Sequence, residues 1–89
     1  MTRLRFYVGL HGPYRISVSH TDAQDYLIVV YGGFTAIPTN GAWREEREPS
    51  VVYEVLSERE VPQSEAALDA AHLRDLCQQE SVLYTVEPV

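Results

Sequence analysis

Two strand-like segments joined by a charged connection constrain the fold of this chain more than any other feature. The first comprises residues 34–37 and 42–44 and follows Gly32-Gly33, and the second comprises residues 51–56. Pro38 and the Asn40-Gly41 pair interrupt the first segment, which predicts an irregular strand at the margin of a sheet. The intervening residues 44–48 are all charged and are predicted to connect the segments as an antiparallel hairpin.

Alternating apolar residues predict strands near both ends of the chain as well. Leu4, Phe6 and Val8 alternate with more polar neighbours, which is the pattern of a strand with one buried face. Residues 81–86 are the final strand-like run before Pro88. The sheet is therefore expected to contain the two hairpin strands and these two further strands.

A helix is predicted from Pro62 to about Gln79, because proline is favoured near a helix start and Glu65 would lie in the first turn. Residues that recur at helical spacing form an apolar stripe of Ala66, Ala70, Leu73 and Cys77, which Ala67 and Leu76 are predicted to widen. Asp69 is predicted on the side that faces water. Small alanine side chains would let this helix lie close to a sheet.

The segment 21–31 fits two structures. Thr21 with Gln24 three residues later is a capping-box pattern, and apolar residues recur at helical spacing up to Gly32, where a helix would need a left-handed cap. Residues 26–31, however, are an unbroken β-branched and aromatic run, and Gly32-Gly33 would suit a two-residue hairpin turn. Propensity alone slightly favours a strand, and the helix remains the alternative.

Length and charge bound the classes of protein that this chain can belong to. Its 89 residues suffice for one domain with one modest core. Thirteen acidic residues against seven basic ones give a net charge of −6, which argues against binding a phosphate backbone and predicts a basic or neutral partner. We therefore expect no direct contact with nucleic acid.

Other sequence features argue against metals, disulfides and membranes. Cys77 is the lone cysteine, so no internal disulfide can form, and the three histidines lack the paired spacing of a zinc site. We expect neither a metal nor a cofactor. No apolar run is long enough to cross a bilayer, and no apolar signal segment follows Arg3 and Arg5, so we expect a soluble cytoplasmic protein.

The order of short motifs resembles a group of small proteins found in phages and prophages of GC-rich bacteria. The motifs are Gly32-Gly33-Phe34-Thr35, Gly41-Ala42-Trp43, Glu48-Pro49-Ser50-Val51-Val52, and an alanine-rich helix that ends in Gln78-Gln79-Glu80-Ser81-Val82-Leu83. The resemblance covers roughly residues 21–86 and carries no activity with it. It implies that the segment before Gly32-Gly33 is helical.

With that helix the element order is β-α-β-β-α-β, which predicts a ferredoxin-like α+β fold with an antiparallel sheet and both helices on one face. The other face is expected to carry Arg5, Tyr7, Val52, Glu54 and Leu56, a mixture too apolar to be comfortable in water. A homodimer through this face or through an edge strand is therefore predicted. The residues predicted to be buried together are Leu4, Phe6, Val8, Val51, Tyr53, Val55, Leu73 and Cys77.

No catalytic signature is present, and the candidate site is an interaction surface. Acid-base or cation chemistry at Glu45, Glu46 and Glu48 would need a nucleophile or an Asp-rich loop nearby, so a solvated turn is the simpler interpretation. Trp43 and Arg44 are residue types enriched at interface hot spots, although burial of Trp43 at the sheet margin is the simpler alternative. The predicted partner-binding residues are Trp43, Arg44, Glu45, Glu46, Glu48, Val52, Glu54 and Leu56.

These features predict a non-enzymatic interaction protein. Given the phage resemblance, we expect a small acidic inhibitor or adaptor that binds a host protein with a basic surface, such as a component of a CRISPR or other antiviral defence system. One alternative is a dimeric ferredoxin-like small-molecule binder or enzyme, with a cavity lined by Tyr7, Tyr53, Tyr84 and His72. A structural or assembly part of a virion is the third possibility.

Overall fold

The computed structural model describes residues 1–43 and 46–89 as one four-stranded sheet with two long helices. The elements are β1 (Thr2–Gly9), α1 (Thr21–Tyr31), β2 (Thr35–Trp43), β3 (Glu46–Ser57), α2 (Gln63–Leu76) and β4 (Leu83–Pro88), with a short 3-10 helix at Pro13–Arg15. The strand order is β2-β3-β1-β4, and every neighbouring pair is antiparallel. This confirms the predicted ferredoxin-like layout.

The ambiguous segment is the helix α1, so the strand that propensity favoured is wrong. Gly32 adopts the left-handed conformation, with a φ of 82°, and its N–H donates to the Ile28 carbonyl at 2.8 Å. Ala23 and Leu27, four residues apart, are buried against the core, so tertiary packing of one helical stripe outweighs β propensity. The N-cap is His20 rather than Thr21, and no side chain caps the helix.

The core lies between the helices and one face of the sheet. All eight residues predicted to be buried together belong to the core cluster, which confirms the alternation in β1 and β3 and the centre of the stripe on α2. Ala67 and Leu76, predicted to widen that stripe, are exposed instead. Asp69 was predicted to face water, and that is wrong: only 3% of it is exposed. The reason is that it lies on the side of α2 that faces α1, where two hydroxyl groups bind it.

The hairpin is longer and more regular than its sequence predicted. The strand β2 runs through Pro38 and Asn40-Gly41 without interruption and pairs with β3 up to Trp43 opposite Glu46. It is an edge strand, as predicted, where the missing N–H of Pro38 does no harm. Because β1 pairs with β3 only as far as Gly9 opposite Ser50, residues 40–43 and 46–49 project as a two-stranded arm.

The face of the sheet without helices, called the open face below, carries an apolar row that crosses all four strands. Register places Ile37 beside Val52, Val52 beside Tyr7, and Tyr7 beside Leu83. Among the described helices, none is long and apolar enough to cross a membrane.

Candidate functional site

Several chain segments meet at the end of the sheet where β1 stops, and we call this region the loop end. The segment between β1 and α1 and the segment between α2 and β4 both lie there. The Leu10 N–H donates to the Pro49 carbonyl at 3.2 Å, which ties the first segment to the base of the arm. The Gln79 amide donates to the His11 carbonyl at 3.0 Å and to the Cys77 carbonyl at 2.9 Å. The two segments therefore form one hydrogen-bonded surface.

A partly open cleft of about 270 Å³ occupies the loop end. Its lining residues are Pro13, Tyr14, Ile16, Ser17, Val18 and Gln78. The volume lies just below the ~300 Å³ at which the range for small-molecule sites begins, and the mixture of apolar walls with a few polar groups is typical of such sites.

Two residues of this cleft have left-handed backbone conformations. Tyr14 has a φ of 59° and Gln78 a φ of 52°, and among the described residues other than glycine they are the two with positive φ. Gln78 follows α2 in a Schellman cap, because Gln79 N–H donates to the Arg74 carbonyl at 2.9 Å. Tyr14 lies inside the short 3-10 helix rather than at the end of a longer one, and the residue is 96% exposed. Strained backbone that displays an aromatic ring beside a cleft is a feature of ligand sites.

A buried polar network supports the loop end from below. His20, at the start of α1, places its Nε2 2.9 Å from the Gly9 carbonyl and its Nδ1 2.7 Å from the Tyr53 hydroxyl. Because a carbonyl only accepts, Nε2 carries the hydrogen, and the neutral Nδ1 accepts from Tyr53. The Gln24 amide donates to the same hydroxyl at 3.2 Å. The network fixes where the cleft segment joins α1.

Burial makes the Tyr53 hydroxyl a weaker acid than an exposed tyrosine hydroxyl. Desolvation raises the pKa of Tyr53, while the hydrogen bond from Gln24 lowers it by a smaller amount. Phe34 packs edge-on against the Tyr53 ring, with centroids 5.2 Å apart. The hydroxyl is therefore a positioned hydrogen-bond donor rather than a source of tyrosinate.

A second polar cluster joins the two helices. The Tyr26 hydroxyl donates to Asp69 Oδ1 at 2.5 Å, and the Tyr31 hydroxyl donates to Asp69 Oδ2. Burial raises the pKa of both tyrosines, and the hydrogen bonds to Asp69 raise it further. The Tyr26 ring also stacks on His72 at 5.1 Å. Each Asp69 carboxylate oxygen already accepts a hydrogen bond from a tyrosine hydroxyl, so we interpret this cluster as a structural link between α1 and α2.

The predicted interaction residues fall into two groups. Arg44 and Glu45 lie outside the described residues, as do the side chains of Trp43 and Glu46. Glu48 is exposed on the arm. The other group is Val52, Glu54 and Leu56, which β3 places together on the open face as predicted. Partner binding by either group stays a prediction.

Within the open-face group the three side chains have different environments. Only 6% of Val52 is exposed, because its neighbours Tyr7 and Ile37 in the apolar row cover it. Glu54 accepts a hydrogen bond of 2.8 Å from Arg5. Leu56 is 55% exposed. Of the three, Leu56 is therefore the residue most available to another molecule.

The cavity proposed for the small-molecule alternative does not form from the predicted residues. Tyr7 lies on the open face, whereas Tyr53 lies on the helix side. Phe6 stands between Tyr53 and Tyr84, with which it is in register on either side. His72 is exposed. The cleft at the loop end is therefore made of residues that the sequence analysis did not select.

Two kinds of chemistry find little support in the described residues. Cys77 is buried, and burial raises the pKa of its thiol to about 11, so little thiolate is present at neutral pH. Within residues 1–43 and 46–89, no three histidine, cysteine or carboxylate side chains converge on a point that a metal ion could occupy.

Comparisons with known proteins give a fold but no family. Neither the protein-family models nor the curated protein sequences match this chain. A solved phage SAM lyase in complex with S-methyl-5′-thioadenosine matches 97% of this chain and 79% of its own, at 17% identity and a TM-score of 0.75. The apo form of a phage SAM lyase matches 97% of this chain and 78% of its own, at 16% identity and a TM-score of 0.70.

These matches correct the predicted function. The chain was predicted to be a non-enzymatic inhibitor of a host protein, and the matches contradict this because the solved chains with the same fold are those of an enzyme. The predicted phage connection agrees with the comparison, since both matched chains are phage proteins. An inhibitor's surface leaves no signature that separates it from an enzyme's surface, so charge and a few aromatic residues misled the sequence interpretation.

Proposed function

We propose that this protein is an enzyme that cleaves S-adenosylmethionine (SAM) as a lyase and releases S-methyl-5′-thioadenosine. The observation that carries the proposal is the likeness of nearly the whole chain, 97% of it, to a phage SAM lyase that holds this nucleoside. Fold alone does not fix function, so the proposal also draws on the charge of the chain and the chemistry of the cleft.

The reaction breaks the bond between the sulfonium sulfur of SAM and the four-carbon amino acid fragment. The electron pair of that bond goes to the sulfur, which becomes the neutral thioether of S-methyl-5′-thioadenosine, while an oxygen of the substrate's own carboxylate bonds to the γ-carbon and closes a lactone. A lyase consumes no water, so the fragment is lighter than homoserine by one water molecule. Positive charge on sulfur disappears as the bond breaks, and a site less polar than water therefore favours the transition state over the substrate.

The charge of the protein suits this substrate. SAM carries a sulfonium, an ammonium and a carboxylate group and is a cation overall, whereas the chain has a net charge of −6. Opposite net charges speed the encounter of substrate and enzyme. The acidic composition that argued against phosphate backbones thus supports a small cationic substrate.

The loop-end cleft is the place that we propose for the adenosyl group. The exposed Tyr14 ring can stack on adenine, and Ile16 and Val18 provide apolar walls. The Ser17 hydroxyl and the Gln78 amide are hydrogen-bonding groups on the same cleft. None of these residues belongs to the interaction surface predicted from the sequence.

An anti-defence role remains part of the proposal, but by another mechanism. A phage enzyme that removes SAM deprives SAM-dependent host systems of their substrate, with no need to bind a host protein. We propose that it acts in the host cytoplasm, where SAM is made and used. The predicted contact with a basic host protein has no place in this mechanism.

The test is to incubate the purified chain with SAM and to identify both products by liquid chromatography and mass spectrometry. SAM also decomposes without enzyme, so a protein-free sample and a heat-unfolded sample set the background. We expect S-methyl-5′-thioadenosine above background together with the water-free four-carbon fragment. Homoserine as the first product would indicate a hydrolase, and product at background level with folded protein would contradict the proposal.

A further inference from the structure

We infer that Gln78 determines base specificity at the loop-end cleft, because its side-chain amide recognises the amino group of adenine and the ring nitrogen beside it. The inference rests on the proposed function, since it takes the cleft as the adenosyl site. It adds the residue that selects adenine over a purine without the amino group. It begins with the backbone of Gln78, which has a φ of 52°.

Glycine is the residue most often found where Gln78 stands. The Gln78 N–H donates to the Asp75 carbonyl at 3.4 Å, and the Gln79 N–H donates to the Arg74 carbonyl at 2.9 Å. In this Schellman pattern the residue that follows the cap of the helix is left-handed. A Cβ atom destabilises that conformation, and glycine has none. Gln78 therefore holds its side chain at a cost in stability that glycine would avoid.

The end of α1 shows what the chain does at the same position away from the cleft. Gly32 is also left-handed, with a φ of 82°. A Cβ there would meet no atom within 4 Å, so the backbone conformation and not a lack of space favours glycine. Since α1 begins at the loop end, where His20 binds Gly9, and runs for 11 residues, Gly32 lies far from the cleft. A strained side chain is present only at the helix end that lines the cleft, which indicates a use for it there.

The stem of the Gln78 side chain is held by the opposite segment of the loop end. A Cβ on Gly12 would lie 3.4 Å from the Gln78 Cβ and 2.7 Å from the Val18 Cγ2, so the backbone of Gly12 passes close to this stem. The rest of Gln78 is exposed. The neighbouring Gln79, in contrast, uses its amide inside the protein, on the His11 and Cys77 carbonyls. Of the two glutamines, Gln78 is therefore the one whose amide is available to a ligand.

The side-chain amide of glutamine matches an edge of adenine. Its carbonyl oxygen accepts a hydrogen bond and its NH₂ group donates. Adenine has an amino donor beside a ring-nitrogen acceptor, so the two groups can form a pair of parallel hydrogen bonds. A purine without the amino group keeps only the bond to the ring nitrogen. Because an aromatic ring such as that of Tyr14 stacks on any base, the choice of base falls to Gln78.

Calorimetric titration with two nucleosides tests the inference and does not require catalysis. The probes are S-methyl-5′-thioadenosine and its analogue that has purine in place of adenine and so lacks the amino group. We expect wild-type protein to bind the adenine nucleoside about 3- to 10-fold more tightly, the effect of one hydrogen bond. Gln78→Met has a side chain of similar length without an amide, and it should bind the two nucleosides with equal affinity.

The matched control is Gln63→Met, the same substitution at an exposed glutamine where α2 begins. It should keep the wild-type preference for adenine. Gln78→Gly should lose the preference and yet unfold at a higher urea concentration than wild type, because it removes the amide and the strain together. A merely structural role of Gln78 would produce the opposite pair of results.

Three outcomes would overturn the inference. The first is equal affinity of wild-type protein for the two nucleosides, or binding of neither. The second is a preference for adenine that Gln78→Met retains. The third is a Gln78→Gly variant that is less stable than wild type, which would show that the glutamine serves the fold. Cleavage of SAM by wild-type protein alongside any of these results would leave the proposed function standing, so the two proposals fail separately.

Discussion

The Nδ1 of His20 accepts a hydrogen bond of 2.7 Å from the Tyr53 hydroxyl, and this contact anchors the cleft-forming segment to the centre of the sheet. The opposite ring nitrogen holds the Gly9 carbonyl at the end of β1. From the N-cap of α1, one histidine therefore connects the last residue of β1 with Tyr53 on β3.

We predict that His20→Ala lowers the unfolding free energy by about 1 to 3 kcal/mol, because it removes the donor to the part-buried Gly9 carbonyl and the acceptor of the buried Tyr53 hydroxyl proton. Urea unfolding measures the loss. Leu68→Ala is the control, since Leu68 is 64% exposed and should change stability by less than about 0.5 kcal/mol. Tyr53→Phe combined with His20→Ala should cost less than the sum of the two, because both remove one network. Equal stability of His20→Ala and wild type would show that the network is energetically neutral.

We predict that Tyr14→Ala weakens binding of S-methyl-5′-thioadenosine by about 5- to 150-fold, the loss expected from removing one base-stacking contact of about 1 to 3 kcal/mol. Tyr14→Phe keeps the ring and should bind as wild type does. Thermal melts of both variants should match that of wild type, because the ring is almost fully exposed. Calorimetric titration with the nucleoside measures the affinity, and equal affinity of the alanine and phenylalanine variants would place the adenine elsewhere.

The spacing of apolar residues predicted the sheet and the core well. Alternation in strands and helical spacing in helices are local sequence patterns that follow directly from which face of each element is buried. Phe6, Tyr53 and Leu73 are buried together for this reason. The same alternation placed Val52, Glu54 and Leu56 on one face. It did not predict that Val52 would be covered by its neighbours, because that depends on which side chains the adjacent strands supply.

The candidate site was largely beyond sequence reasoning. Asp69 looked like a water-facing helical residue, and only the approach of α1 with Tyr26 and Tyr31 makes its burial favourable. Tyr14 has a left-handed backbone with no glycine or asparagine to signal it. His20 stood immediately before the predicted capping box at Thr21, and that position was the signal for it in the sequence.

We predict that the unfolding free energy falls as the pH rises above about 10, the ordinary pKa of tyrosine. Burial and Asp69 raise the pKa of Tyr26 and Tyr31 in the folded protein. Below pH ~10 both the folded and unfolded states keep these protons, and the contribution of the cluster is complete. Above it the unfolded chain releases protons that the folded protein retains, so stability falls by about 1.4 kcal/mol per pH unit for each tyrosine until the pH passes its folded pKa.

The matched variant for the alkaline experiment is Tyr31→Phe, which keeps the ring and removes one titrating group. Its unfolding free energy should fall less steeply between pH ~10 and ~12, by the equivalent of one proton. Urea unfolding at several pH values provides the slopes. Parallel slopes for wild type and Tyr31→Phe would mean that the Tyr31 hydroxyl does not hold its proton more tightly in the folded state.

We predict that Gln78→Gly raises the unfolding free energy by about 0.5 to 1 kcal/mol, because residue 78 has a φ of 52° after α2 and glycine adopts that conformation without strain. Gly32→Ala makes the reverse change after α1. A Cβ there would meet no atom within 4 Å, so its expected loss of about 1 kcal/mol reports backbone strain alone. Urea midpoints measure both changes. A Gln78→Gly variant less stable than wild type would show that contacts of the glutamine side chain stabilise the fold by more than the backbone strain at residue 78 destabilises it.

Gly9 and the Gln79 side chain meet where the two segments of the loop end join. A Cβ on Gly9 would lie 2.5 Å from the Gln79 Oε1, so in Gly9→Ala the Gln79 side chain must move. Its hydrogen bonds to the His11 and Cys77 carbonyls would then break. Because the displaced group is the end of a flexible side chain, we expect a stability loss of only about 1 kcal/mol, together with weaker binding of S-methyl-5′-thioadenosine as the cleft walls separate.

Gln79→Ala breaks the same bonds without crowding Gly9 and should match Gly9→Ala in both measurements, and the double variant should be no worse than either single one. Additive losses in the double variant would show that Gly9 and Gln79 act separately, and unchanged nucleoside affinity in both single variants would show that this joint does not shape the cleft.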